Sequence, residues 1–598
     1  MPSKLRIVAL VILATTVMFC MYCKNISTPP ASSAKKSFDK ELVGLQAIVD
    51  HQLLPAIEKK NIGQIKTTFL DARKQYKSIE YYIEYFFPTT AVMLNGAPVD
   101  EIELGENLIE NPTGFQVMEG IIYGEPTAES YAELLNEAKK MQLNLKRVAR
   151  FNEQYQITDA QLFDAIRLEV FRITGLGITG FDTPDALQSL PEAVAALNGI
   201  ATVLAAYDND DIPESINKAT AYLKEHNDYN SFDRLDFITN HLDQVSATIS
   251  QLRKKLNITT AASGSALHDD AVSLFQPDAF NINRFVGNSA EFISKEKIEL
   301  GKELFNDAIL SNNGNRNCAS CHNASKAFTD GFTTAAAITK GQSLLRNTPT
   351  LNYAGLQRAF FYDLKAGSLE DQALDVVHQK QEMDGSLEKA AQRINVNQRY
   401  KALFGKAFND STAKVDAWRI QHVLASYIRS LAPFNSRFDL YMRGDKSQLN
   451  AQEKQGFNLF MGKAKCGSCH FAPVFNGTAP PLFNKSEAEV LGVPSTADTA
   501  NVKIDTDEGR FTLYNYPQYK HAFKTPTLRN ITQTAPYMHN GVYQSLEQVI
   551  DFYNRGGGAG MGMTIDNQTL SPDKLNLTPT EIKAVIAFLG TLEDGKAK

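Results

Sequence analysis

Between residues 38 and 258 the apolar positions recur three or four apart. ELVGLQAIVDHQLLPAIE carries Leu42, Leu45, Val49, Leu53 and Ile57 in that rhythm, and FLDARKQYKSIEYYIEYF carries Phe69, Tyr76, Ile79, Ile83 and Phe86. Such a period draws one apolar stripe along a helix, so a bundle of helices packed through one face each is expected here. The small and polar stretch NITTAASGSALHDD (257–270) breaks the rhythm, and 259–283 reads as a linker.

Beyond it two segments follow one plan. SKEKIELGKELFNDAILSNNGNRNCASCH and NAQEKQGFNLFMGKAKCGSCH each open on a helix N-cap residue, Ser294 or Asn450. Each continues as an amphipathic helix ending near Leu-Phe and delivers a Cys-x-x-Cys-His from a short loop. The two first cysteines are 148 residues apart (466 − 318), which reads as an internal duplication. The chain closes on LTPTEIKAVIAFLGTL, where Thr578 and Glu581 form a capping box. Units at 284–445 and 446–598 follow from this repeat.

Composition narrows the chemistry. The 598 residues are 43% hydrophobic and 21% charged, with a formal charge of −6, so no basic surplus points to nucleic acid. Lys4 and Arg6 precede an apolar run from Ile7 to Tyr22, which reads as an export signal over residues 1–23 and directs the protein to the periplasm or cell envelope. Cys20 and Cys23 stand where a lipid-anchored cysteine would lie. The other four cysteines, Cys318, Cys321, Cys466 and Cys469, all belong to the two motifs, so the chain is not a disulfide scaffold.

A Cys-x-x-Cys-His can hold haem c. Two thiols form thioethers to the porphyrin and the adjacent imidazole turns to the iron. Half a zinc site and a thioredoxin-like pair are the alternatives. The repeated helical context argues for two separate sites, and a redox pair has no need of a histidine directly after it. The expected fold is therefore all-α: an N-terminal helical bundle followed by two c-type cytochrome domains, with His322 and His470 as iron ligands.

The ordered motifs CASCHNASKAFTDG, RNTPTLNYA, FYDLKAGSLEDQALDVVHQKQEM, YIRSLAPFNSRFDLYMRGD, CGSCH and KTPTLRNITQTAPYMHNGVYQSLEQVIDFY are similar to those of bacterial di-haem cytochrome c peroxidases and their MauG-like relatives. The resemblance covers about 284–598. It implies that Gln372 and Glu382 face the open side of the first haem, where a carboxylate can move a proton between peroxide oxygens and an amide can position the peroxide. His378, between them, is read as structural. Tyr362 falls where relatives carry a tryptophan that relays electrons between the haems, whereas Trp418 is read as core. Tyr553 matches the distal ligand of the second haem, with Met561, Met563 and Met538 as alternatives. A calcium ion is implied at the Asn347 side chain and the carbonyls of Thr534 and Pro536. The loop at 331–349 contains no histidine or methionine, which leaves the first haem without a displaceable loop ligand.

The resemblance implies reduction of hydrogen peroxide with electrons from a small cytochrome c or cupredoxin. A MauG-like oxidation of side chains on a partner protein is the first alternative, and a non-catalytic electron carrier with two closed haems is the second. Relatives are often homodimers. Near the N-terminus, NPTGFQVMEGIIYGE faintly resembles the Gly-x-His-x-x-Glu motif of imelysin-like domains, with Gly114, Gln116 and Glu119 in register and glutamine in place of histidine.

Overall fold

The computed structural model describes residues 30–103, 108–208, 213–261, 264–410, 412 and 414–595. The apolar leader with Cys20 and Cys23 lies outside the described residues. The chain is all-α, with two short antiparallel ribbons: β1 (Glu101–Glu103) on β2 (Leu108–Glu110), and β3 (Ala488–Val490) on β4 (Ala522–Lys524), where Ala488 faces Lys524. Among the described residues no helix is long and apolar enough to cross a membrane.

The N-terminal bundle is built chiefly from α1 (Pro30–Ile48), α2 (Ile62–Lys77), α3 (Glu80–Phe86), α4 (Ala128–Gln154), α5 (Asp159–Arg172) and α6 (Ser189–Ala205). Every residue of the two apolar stripes named above is buried. The stripes run on where the helices do not: a π-helical turn at Val49–Leu53 continues the first, and the second changes helix at Ser78 and Ile79. Thr127 and Thr158 cap α4 and α5 through hydrogen bonds from Ser130 N and Gln161 N.

Each later unit rests on one crossed helix pair. α7 (Lys295–Phe305) crosses α9 (Ala417–Arg429), and α10 (Ala451–Met461) crosses α12 (Pro579–Gly590). The caps are those the sequence indicates: Ser294, Asn450 with Glu453, and Thr578 with Glu581. At both crossings a glycine lets the backbones touch. A Cβ on Gly301 would lie 1.9 Å from the Val423 carbonyl oxygen, and one on Gly456 would lie 1.9 Å from that of Ala584.

The duplication reaches further than the helices. Thr348-Pro349-Thr350-Leu351 recurs as Thr525-Pro526-Thr527-Leu528. Thr350 Oγ1 donates to Ala327 O at 2.6 Å, and Thr527 Oγ1 donates to Val474 O at 2.7 Å. Two residues past each leucine the chain turns left-handed, at Tyr353 (φ +59°) and Asn530 (φ +61°). Ser368 and Ser545 then cap α8 (Leu369–His378) and α11 (Leu546–Asn554).

The apolar cores divide the molecule unequally. One continuous core joins the N-terminal bundle to the second cytochrome unit, from Leu45 and Phe163 through to Phe457, Phe460 and Phe588. The first unit keeps a core of its own around Leu304, Phe305, Val423 and Tyr427. The seam of the joined core is polar in places. The buried Arg234 guanidinium donates to Ile178 O at 2.8 Å and Tyr229 O at 2.9 Å, and it lies 2.7 Å from where Gly462 would carry a Cβ.

Two expectations change. Residues 264–283 are not a loose linker: Ala266, Leu267, Leu274 and Phe275 are buried, and Ala266 N donates to Leu482 O at 2.9 Å. Polar, small-residue composition signalled absence of helix there, not absence of packing. Trp418 is not core. It is 39% exposed and stacks on the buried His422 ring at 5.3 Å.

Candidate haem-binding sites

Each Cys-x-x-Cys-His forms one 3₁₀ turn, Cys318–Ser320 and Cys466–Ser468, that presents both thiols and the imidazole together. His322 Nδ1 lies 2.9 Å from Phe328 O, while His470 Nδ1 lies 3.1 Å from both Phe475 O and Pro526 O. A carbonyl only accepts, so Nδ1 holds the proton and Nε2 keeps a free lone pair for a metal. Burial lowers both imidazole pKa values, that of His470 to about 4, so the rings stay neutral. The accepting Phe328 (φ +61°) and Phe475 (φ +55°) sit in the left-handed region, uncommon for a bulky residue and repeated at both sites.

The thiols do not fit a redox pair. Burial pushes Cys318 and Cys466 up to about 12, and Cys321 and Cys469 also rise, first through burial. A thioredoxin-like pair requires a stabilised thiolate. All four cysteines are unpaired, and among the described residues no three His, Cys, Asp or Glu side chains converge to hold a metal ion. Two thiols, a tautomer-fixed imidazole and apolar walls are the donor set that haem c requires.

The implied distal residues divide between the sites. Gln372 stands in the first turn of α8, beyond its Ser368 cap, and Glu382 lies in the turn after that helix. Arg316, two residues before Cys318, donates to Glu382 O at 3.1 Å and ties this turn to the first tether. Burial raises the Glu382 carboxyl above its usual range, against the opposing pull of Lys365 and Arg316. His378 is exposed, with Nε2 3.9 Å from Glu388 and 3.5 Å from Leu387 N. At the second site the Tyr553 phenol is pushed up, first by burial and then by Cys469 and Cys466, and its ring packs against the same core as Cys466. Met538 and Met561 are partly buried against the same core.

Tyr362 lies at the join of the two units. Lys524 N donates to its carbonyl at 2.7 Å, and its hydroxyl faces Asn347 Oδ1 at 3.5 Å. Asn347 Nδ2 donates to Phe332 O at 2.7 Å, and Asn347 N donates to His539 O, three residues past Pro536. Arg346 clamps the same join, reaching Asp363 and Asp507 at 2.6 Å each.

Sequence reasoning missed several of these residues. Glu489 of β3 lies against the Cys469 thiol and Thr569, with nothing local to mark it. Glu370 holds Arg429 through two bonds of 2.7 Å and faces His422 Nδ1 at 3.1 Å, locking α8 onto α9. Pro526 could have been found, because the Thr-Pro-Thr-Leu repeat that carries it is visible in the chain.

The sequence model described as di-haem cytochrome c peroxidase matches residues 295–447. The chain is 32% identical over 313 residues to the cytochrome-c peroxidase IdrP2 of Denitromonas iodatirespirans, covering 50% of this chain and 81% of that protein. It is 33% identical over 301 residues to the methylamine utilization protein MauG of Methylorubrum extorquens, covering 50% and 79%. It is 33% identical over 294 residues to the cytochrome c551 peroxidase of Nitrosomonas europaea, covering 49% and 79%. The chain belongs to the di-haem cytochrome c peroxidase family, and membership implies one haem c at each tether.

Proposed function

We propose that this protein is an exported oxidoreductase that reduces hydrogen peroxide to water with electrons from a small redox protein. The observation that carries the reading is Glu382: its carboxyl is raised by burial, and its main-chain carbonyl accepts from Arg316, two residues before the first tether. Bound haem supplies the iron at which peroxide is reduced. Glu382 takes a proton from one peroxide oxygen and returns it to the departing one, and the Gln372 amide holds the peroxide in line. Two electrons and two protons complete the conversion to two waters. The Nδ1 hydrogen bonds of His322 and His470 leave each Nε2 as the nitrogen that would hold the iron. Tyr362, bonded to both units, stands where electrons pass between them. A calcium ion at Asn347, Thr534 O and Pro536 O would brace the same join, supported by the bond from Asn347 N to His539 O.

A second reading, MauG-like oxidation of a partner protein's side chains, is supported by Tyr553, which packs against the same core as Cys466 of the second tether. A phenolate lowers a haem potential where a thioether raises it. Steady-state turnover of peroxide with reduced cytochrome c decides between them: rapid turnover supports the peroxidase, and slow turnover with retained peroxide binding supports the partner-modifying enzyme. Irons that stay six-coordinate in every redox state, with no binding of cyanide or peroxide at the first haem, would refute both and leave an electron carrier.

A further inference from the structure

The N-terminal bundle encloses an unbalanced set of charges. In one cluster, apart from the buried Arg167–Asp164 pair, Glu137 and Arg234, the carboxylates Glu80, Glu119, Glu169, Asp182 and Glu192 are buried with Arg73, Lys77 and Arg172, while Glu84 stands half-buried at the edge. The cations are taken. Arg73 meets Glu192 at 2.5 and 3.0 Å, Lys77 meets Glu80 at 2.7 Å and Asp182 at 2.8 Å, and Arg172 meets Asp182 at 2.9 and 3.1 Å. Glu119 accepts from Asp185 N and Ala186 N. The Oε2 of Glu119 and the Oε1 of Glu169 have no hydrogen-bond partner, and Glu169, 2% exposed, also lines a small cavity with Lys77, Glu80, Arg172 and Gly177.

That cavity backs onto the second haem tether. α5 ends at Arg172 and continues as a π-helical turn, Ile173–Gly177, whose two end residues line the cavity. The turn also packs on Cys466–Ser468, and a Cβ on Gly175 would come within 2.7 Å of Pro480 Cγ. Glu169 thus stands four residues, about one helical turn, before a segment that touches the tether. Such inserted π turns are frequent at functional sites.

We infer that Glu169 binds a proton from solvent when the second haem gains an electron and releases it when that electron leaves, making the N-terminal bundle a charge-compensating module for that haem. The proposal rests on the two-haem reading. One electron and one proton enter together, so the buried region gains no net charge. An isolated buried carboxylate is costly to ionise, and a negative charge added at the tether this segment touches tips it towards the protonated form. Burial, and then Glu80, already hold its carboxyl well above the usual range. The groups facing it are Glu80, Tyr81 and Glu84 on α3, Lys77 on α2, Arg172 on its own helix and Glu192 on α6, with Tyr76 and Asp182 next to those groups in the same cluster.

The test is a spectroelectrochemical titration of the second haem in the full-length haem-loaded protein, across the pH range in which it stays folded. The reduction equilibrium should shift by about tenfold in total, reduction becoming less favourable as pH rises. Glu169→Gln should abolish that shift, while Glu214→Gln, on the exposed surface, should retain it. A pH-independent equilibrium in the unaltered protein, or an undiminished shift in Glu169→Gln, overturns the inference. If Glu169→Gln fails to mature, the infrared difference spectrum of the unaltered protein replaces it. A protonated-carboxyl band must then rise on reduction of the second haem, and its absence overturns the inference. A chain with no second haem has no such equilibrium to measure, which instead refutes the two-haem reading.

Discussion

The two haem tethers share a backbone plan and differ in what covers them. Around the first, Asn312, Asn313, Gly314, Asn315, Ser320 and Asn323 are exposed. Around the second, Met461, Gly462, Ala464, Gly467 and Phe471 are buried, and the N-terminal bundle covers them through the Ile173–Gly177 turn, Phe181 on Phe471 and Arg234 under Gly462. Local sequence therefore builds the attachment turn, while its solvent contact depends on what the rest of the chain packs against it. Their surroundings diverge in the same way: Arg316 holds the Glu382 turn by the first tether, and Tyr553 packs on the core that Cys466 shares at the second.

The largest expected effect separates the sites outright. Replacing Cys318 and Cys321 by alanine should remove one haem by whole-protein mass, and replacing Cys466 and Cys469 should remove the other. Only the second change should also expose N-terminal bundle surface to proteolysis, because only that site shares its core. Two haems retained in either variant would break the comparison.

Next in size is Glu382→Gln. The reaction with peroxide, followed by stopped-flow absorbance, should slow by about a hundredfold or more. Glu489→Gln, beside the second tether, should leave that rate close to its starting value. Equal losses would mean that the two carboxyls do not divide the work.

The glycine crossings sharpen the comparison of cores. Gly301→Ala and Gly456→Ala each force a methyl onto a carbonyl, at a cost of about 1–3 kcal/mol. By calorimetry, Gly301→Ala should lower a transition of the first unit alone, whereas Gly456→Ala should lower one shared by the second unit and the N-terminal bundle. A single transition moved equally by both would show that the two cores unfold as one.

The smallest effect is acid-dependent. Burial alone would raise Glu370, but bonds from His422 and Arg429 outweigh it and pull the carboxyl from 4.5 down to about 2. A depressed folded pKa stabilises above the unfolded value, so this contribution is complete above about pH 4.5 and is lost as pH falls towards 2. Glu370→Gln should lower first-unit stability at neutral pH and flatten its decline through that window. An unchanged acid profile would remove Glu370 from the account.

The readability of the molecule follows the range of the interactions. Helix stripes, caps, the doubled tether and its fifth-position histidine were legible, because each depends on residues a few positions apart. Glu382 and Tyr553 were reachable only through the likeness of ordered motifs. Arg234, Glu370 and Glu489 were not reachable at all: their partners lie on other elements, and no periodicity marks them. Residues 264–283 and Trp418 were misjudged for a related reason, since composition reports average burial and not the neighbour a segment meets.

By itself the sequence determined that two thiol pairs, each followed by histidine, would be delivered by similar helices in an all-α chain. Tertiary packing alone decided that the second tether would be sealed by the N-terminal bundle, that Glu382 would be drawn to the first, and that Glu169 would lie unpaired behind the second. Covalent spacing and helix period act over a few residues, whereas burial and charge pairing depend on which distant surfaces the folded chain brings together.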